Sequence, residues 1–307
     1  MKKKTPKKSL FKYFEPIDMT DFINDEGKTG SIEDSFGYFA FTPNKDNLFL
    51  NRFSKDDLMT IINKVGMLDH LNKRGFDNII LDIEKDETLI HYLKIYYGEK
   101  KPNNILVDLR LSESRFLPDS KYFPEDIEAV TYDMIVIEWL ASQNPHTDFS
   151  NNRPQLPGQK KPGLGILNFM MEMMYIVGRE VIKDGFMDVP DHMHGAIMYS
   201  KKFKFFNPSH EAILQAIVRD LSNYPLIDIS WGMLTNTIYD AETGNPQEYD
   251  PSEQIFPLSR RIRKYFNSKM YKERLRYVYK KKRYKFDYNR MLELKSEMLK
   301  NKSVVDF

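Results

Sequence analysis

The segment from Pro157 to Phe206 begins PGQKKPGLG, continues as the apolar helix pattern ILNFMMEMMYIVGREVI and ends in HMHGAIMYSKKFKFF. Gly163 and Gly165 form a turn directly before the helix pattern. The first N–H groups of a helix have no partner within the helix, and the helix dipole adds partial positive charge there. Glycine lets a ligand approach the backbone closely. The sequence therefore predicts a phosphate or pyrophosphate site at this turn.

The order of turn, helix, strand and second helix resembles the GNAT acyl-CoA N-acyltransferase superfamily over about residues 134–206. That family binds the pyrophosphate of acyl-CoA with an R/Q-x-x-G-x-G/A turn, which the run KKPGLG at residues 160–165 matches with lysine in first place. The resemblance implies a mixed α/β (α+β) fold, in which helices flank a GNAT-like central mixed β-sheet with N- and C-terminal additions. It also implies a splayed pair of strands facing the glycine turn.

The second helix of that family has the form N-x-x-A-x-x-L-Y-x-x-x-G-F, and residues 192–204 correspond to it. Tyr199 stands at the tyrosine position. The chain departs from the family pattern with His192 for Asn, Gly195 for Ala and Phe203 for Gly, and also with Met198 for Leu and Lys204 for Phe.

The resemblance implies acetyl-CoA, or another acyl-CoA, as the co-substrate. Backbone N–H groups of the turn would hold its pyrophosphate and the lysines would add charge. The residues expected to bind it are Lys160, Lys161, Gly163, Leu164, Gly165, Ile166 and His192. The alternative is a loop punctuated by Gly and Pro that only starts a helix. For His192, the alternative is a helix cap.

Two residues are expected to act in catalysis. The resemblance implies that Tyr199 lies near the sulfur of CoA and protonates the departing thiolate, since a phenol has a pKa close to that of a thiol. Glu138 lies late in the strand pattern DMIVIEWL, where family members often carry a general base. The alternatives are a buried tyrosine packed for its ring and a solvated or salt-bridged glutamate.

Asp191, His192 and His194 invite a metal interpretation. Their spacing suits a loop, but no recognisable motif supplies a distant ligand, so we expect no metal. Met170, Met171, Met173 and Met174 could line an acyl groove, but core packing explains them better.

Composition bounds the class of protein. The 307 residues include no cysteine, which rules out disulfides and cysteine nucleophiles and fits a reducing, cytoplasmic location. The net charge of +2 does not favour binding of nucleic acid by the whole fold. The N-terminal MKKKTPKKSLFKYF lacks an apolar core, so we expect no signal peptide, and no apolar run is long enough for a membrane span.

Other patterns predict the remaining elements. Residues 36–53 suggest two aromatic strands, and a helix begins at Ser54 and ends at Gly75. FDNIILDIE, ILVDLRLSESRF and DMIVIEWLASQNP favour strands. ETLIHYLKIYYG could be a helix, but its aromatic residues and its alternation favour a strand. After Pro208 we expect a helix, then a hairpin over IDISWGMLTNTIYDAETGNPQEYD that turns at ETGN, and then a basic, tyrosine-rich helical tail.

The sequence thus predicts a flexible basic tail at residues 1–12, a GNAT-like domain over 13–208 and a helix-hairpin-helix extension over 209–307. The expected function is direct acyl transfer from acyl-CoA to the amine of a small molecule or peptide. A second hypothesis is a non-catalytic binding or scaffold module of the same fold, which contacts protein or nucleic acid through the basic residues around Tyr277–Tyr284. A third is an acyl-CoA or acyl-homoserine-lactone-type metabolic enzyme of related fold.

Overall fold

The computed structural model describes residues 48–122 and 130–307. Asn47–Phe307 is one compact unit, so the division predicted at residue 208 falls inside it. The predicted tail at residues 1–12 and most of the predicted aromatic strands lie outside the described residues. Over residues 48–53 the chain forms a tight turn closed by pairing of Phe49 with Phe53.

The helix predicted from Ser54 to Gly75 is two helices, α1 (Lys55–Lys64) and α2 (Met67–Asn72). Ser54 and Asp57 form a reciprocal capping box at the start of α1, as the sequence indicates. The break falls at Gly66, whose φ of 79° is left-handed and cannot continue a helix.

Four strands follow, β1 (Ile79–Lys85), β2 (His91–Tyr97), β3 (Ile105–Phe116) and β4 (Tyr132–Ser142). They confirm the four strand predictions, including the ambiguous HYLKIYY. Each pairs antiparallel with the next. Alternate residues are buried along most of β2 and β3, and α1 packs against β1.

The segment from Pro157 to Phe206 contains α3 (Leu167–Glu180), β5 (Gly185–Asp188), α4 (Met193–Tyr199) and β6 (Lys204–Phe205). The predicted helix, strand and second helix are all confirmed. The four methionines of α3 are buried, which agrees with core packing.

The next segment holds α5 (Pro208–Asp220), α6 (Leu226–Leu234), β7 (Ile238–Asp240) and β8 (Gln254–Pro257). The hairpin prediction is wrong for its first arm, because LIDISWGML is the buried helix α6. The chain does reverse at ETGN, where Tyr239 pairs with Pro246 in a single bridge.

The chain ends with α7 (Arg260–Asn267), α8 (Lys269–Lys281), β9 (Tyr284–Phe286) and α9 (Tyr288–Met298). The predicted helical tail is therefore interrupted by a strand. β9 pairs with β7 in a separate two-stranded sheet, so β7 finds its long-range partner far along the chain rather than in a hairpin.

The main sheet of the described residues has seven strands in the order β1-β2-β3-β4-β5-β8-β6. It is mostly antiparallel and flanked by helices, which confirms the mixed α/β prediction. β8 comes from the predicted C-terminal extension and yet lies inside this sheet, between β5 and β6. No helix in the described part of the chain is long and apolar enough to cross a membrane.

Candidate functional site

A gap between two parallel strands defines the candidate site. Among the strand pairs of residues 48–122 and 130–307, only β4–β5 is parallel, and it is paired at just three positions that end at Val136 and Met187. β5 ends one residue later at Asp188, whereas β4 continues to Ser142. Within the described parts of the chain, the second half of β4 therefore has no strand on the β5 side. Ligands of open sheets bind outside the carboxyl ends of parallel strands, and the gap lies at that edge.

A β-bulge marks the start of the gap. Arg110 of β3 faces Trp139, and Leu111 faces Ile137, so Glu138 is an extra residue on β4. A bulge bends its strand and increases the local twist. This bend accounts for the separation of β4 from β5 beyond Val136.

The glycine turn lies at the open end of β4. A Cβ atom on Gly163 would be 3.9 Å from the Ser142 carbonyl oxygen, and the Asn144 N–H donates to the Pro162 carbonyl at 2.7 Å. His70 of α2 donates from Nε2 to the Leu164 carbonyl at 3.2 Å. The loop that ends in the glycine turn is thus anchored to both the sheet and α2.

The predicted cofactor-binding residues take different positions at this turn. Gly165 has a left-handed φ of 70°, whereas the φ of Gly163 is not left-handed. Leu164 and Ile166 are buried, so neither presents its side chain at the surface of the turn. The first N–H groups of α3 have no intrahelical partner, and the N-cap residue Ile166 makes no side-chain capping bond to them.

Positive charge near the turn comes partly from a residue that the sequence did not indicate. A Cβ atom on Gly165 would lie 3.5 Å from Nη2 of Arg74, which follows α2. Lys160 and Lys161 are both exposed, and Nζ of Lys161 lies 3.4 Å from the Asp148 carboxylate. Arg74 was not identifiable because it is about 90 residues away along the chain and belongs to no motif.

His192 is the N-cap of α4, but its side chain makes no capping bond. Its ring stacks on that of His194, with 5.1 Å between centroids, and a Cβ atom on Gly158 would lie 3.2 Å from its Nε2. His194 is hydrogen-bonded to Ser230 at 2.9 Å, and burial lowers the pKa of His194 to about 4. No cluster of three or more possible metal ligands occurs within the described residues.

Tyr199 ends α4, and its ring packs against Phe203. Burial, followed by the nearby Asp188 carboxylate, raises the pKa of Tyr199 well above its usual value. The phenol therefore stays protonated throughout the neutral range, but its pKa lies above that of a thiol instead of close to it as expected from the sequence. Burial also raises the pKa of Asp188 to about 7.

Glu138 has an exposed side chain and accepts a hydrogen bond from the Ser112 hydroxyl. Strand alternation puts it on the face of β4 opposite to Ile135 and Ile137. Ile135 pairs with Phe186, so Asp188, two residues after Phe186, lies on the Ile135 face. The structure thus brings Tyr199 and Asp188 near one another and puts Glu138 on the other face.

Comparison with protein-family models, with curated proteins and with solved structures finds no match to this chain.

Proposed function

We propose that this protein is an acyl-CoA-dependent N-acyltransferase of GNAT-like fold. The observation that supports it best is the parallel β4–β5 pair that separates after three residue pairs, with the glycine turn and the start of α3 at its open end. The family resemblance implies this arrangement, and the turn carries its own independent signal of anion binding.

Acyl-CoA has two chemically distinct parts that fit the two parts of this site. Its pyrophosphate would accept from the free N–H groups at the start of α3, while Arg74 and the lysines of the loop supply positive charge. The pantetheine arm of acyl-CoA carries amides. The edge of β4 beyond Ile137 offers backbone groups that could pair with these amides as a strand would.

The transfer itself needs no covalent enzyme intermediate. The acceptor amine attacks the thioester carbonyl, a backbone N–H of β4 stabilises the carbonyl oxygen, and the C–S bond breaks. The half-buried, protonated Tyr199 then protonates the departing sulfur.

Calorimetric titration with acetyl-CoA tests the proposal. We expect the wild type to bind and Gly165→Val to lose affinity on the order of tenfold to a hundredfold, because the branched side chain keeps the pyrophosphate from the N–H groups. Gly244→Val is the matched control. Gly244 has a similar left-handed φ of 73° and an open surrounding, so the substitution adds similar backbone strain in a turn away from the glycine turn.

Equal affinities for acetyl-CoA in Gly165→Val and Gly244→Val, both with native circular dichroism, would exclude the turn as the pyrophosphate site. A wild type that does not bind acetyl-CoA at all would defeat the proposed function.

A further inference from the structure

A buried acceptor group without a donor lies beside the gap. Asp188, the last residue of β5, is paired directly with Gln254 of β8. Directly opposed residues of antiparallel strands share a face, with Cβ atoms about 4.5–5.5 Å apart. Gln254 is fully buried, and its Nε2 donates to the Ala196 carbonyl at 3.2 Å. Its Oε1 has no hydrogen-bond partner within the described residues.

The titratable groups of the described chain that influence Asp188 include no cation. Tyr199 from α4, Tyr249 from the segment before β8 and Asp191 from its own loop are the titratable groups coupled to it. The Tyr249 hydroxyl donates to the Pro190 carbonyl at 2.6 Å and so is already engaged. No lysine or arginine of the described chain contributes to the shifted pKa of Asp188.

The buried Oε1 of Gln254 is costly without a hydrogen-bond donor. The half-buried Asp188 carboxyl group accepts from the Val189 N–H and keeps further acceptor capacity on the same face. A primary ammonium group supplies three N–H donors and a positive charge. We propose that the Asp188 carboxylate and Oε1 of Gln254 form the subsite that binds the amine of the acceptor substrate, with Asp188 taking its proton. This inference rests on the proposed function and names the chemical class of its acceptor, a primary alkylamine.

The proton balance follows from this placement. The ammonium gives one proton to Asp188, and the freed lone pair forms the C–N bond with the thioester carbonyl carbon. When the C–S bond breaks, the sulfur takes the electron pair and receives a proton from Tyr199. The attacking nitrogen loses its extra proton to Tyr199, and Asp188 returns its proton to solvent. The products are the amide, CoA thiol and one proton.

The test uses n-butylamine as the probe and n-butanol, of similar shape without charge, as its control. We expect saturation-transfer NMR on the full chain to show binding of the amine and not of the alcohol. Asp188→Asn should weaken amine binding on the order of tenfold to a hundredfold. The asparagine amide can still donate to Gln254, so a purely structural carboxyl–amide pair would be preserved in this variant.

Dependence on pH gives a second measurement that a structural role would not affect. The raised pKa of Asp188, about 7, means that the carboxylate forms as the pH rises through that value, while an alkylamine stays charged up to about pH 10. Affinity for butylammonium should therefore rise through about pH 7 in the wild type and stay flat in Asp188→Asn.

Three results would overturn the subsite: no binding of butylamine, equal binding of butanol, or unchanged affinity in Asp188→Asn. Acetyl-CoA affinity is measured on the same samples. If the wild type binds acetyl-CoA but not butylamine, the amine subsite fails and the proposed function stands. If it binds butylamine but not acetyl-CoA, the proposed function fails instead.

Discussion

Tyr199 illustrates how a single residue acquires its chemistry from its surroundings. A free phenol titrates near pH 10, but burial and the Asp188 carboxylate favour its neutral form. The same burial that raises the pKa of Tyr199 also raises that of Asp188, so a neutral donor and a readily protonated carboxyl group lie close together. Pairs of titratable groups with such separated pKa values are suited to acid–base roles.

Replacing Tyr199 with phenylalanine tests the donor role. We expect turnover of acetyl-CoA with an alkylamine to fall roughly tenfold to a thousandfold, because only the hydroxyl that protonates the sulfur is lost. Affinity for acetyl-CoA should change little, since the ring remains packed on Phe203. Release of CoA thiol and calorimetry measure the two quantities. Undiminished turnover would remove Tyr199 from the mechanism.

At the residue scale, sequence indicated some site residues and could not indicate others. Tyr199 and the glycines belong to a local pattern that can be recognised within 50 residues. Asp188 and Gln254 are 66 positions apart, and only strand register brings them together. A single aspartate at the end of a strand carries no signal of a raised pKa, because that shift arises from burial by distant elements.

At the element scale, close packing of α3 on the sheet depends on one glycine. A Cβ atom on Gly178 would lie 2.3 Å from a Leu258 methyl group and 2.6 Å from the Phe186 ring. These distances are well inside van der Waals contact. The absence of a side chain at Gly178 therefore sets how closely α3 approaches β5 and, with it, the geometry of the gap.

Gly178→Ala should lower the free energy of unfolding by about 1–3 kcal/mol, because the added methyl group forces the helix and sheet apart. Gly195→Ala is the matched helical control. A Cβ atom there would lie 3.4 Å from Pro190 Cβ, and alanine favours a helix over glycine by roughly 0.5–1 kcal/mol. Urea denaturation measures both. A Gly178→Ala protein as stable as the Gly195→Ala protein would contradict this account of the packing.

Most helices and strands were predictable because their sequence patterns are local. Helix α6, which was predicted as a hairpin arm, is an exception with a physical cause. The segment LIDISWGML is apolar almost all round, and five of its nine residues are buried. A short apolar run of this kind fits a buried strand or a buried helix equally well. Only its packing against α4 and α9 decides for a helix.

At the scale of the whole molecule, the C-terminal basic residues join distant parts of the fold. Lys282 pairs with the buried Asp240 of β7, and Lys281 lies 3.5 Å from Glu242. Arg283 donates to three nearby backbone carbonyls. A cation that is already paired contributes less to binding a phosphate, so this arrangement favours a structural role for the cluster over a nucleic-acid surface.

The Lys282–Asp240 pair shows what that structural role contributes. Burial alone would raise the pKa of Asp240, but the hydrogen bond and charge of Lys282 outweigh it, and the pKa is lowered overall. A carboxyl group whose pKa is lower in the folded state stabilises the fold above its unfolded pKa of about 3.9. That stabilisation disappears as the pH falls through the lower, folded value.

Lys282→Gln should therefore destabilise the protein near neutral pH by roughly 1–3 kcal/mol, because it leaves the Asp240 carboxylate buried without its cation. The matched control is Lys280→Gln, an exposed lysine two residues earlier in the same basic run, where a change below about 0.5 kcal/mol is expected. Urea denaturation at several pH values measures both variants. The difference between wild type and Lys282→Gln should shrink as the pH falls through the folded pKa of Asp240, since the carboxyl group is then neutral in both proteins. A difference that stays constant with pH would show that Lys282 stabilises the fold by packing rather than by charge.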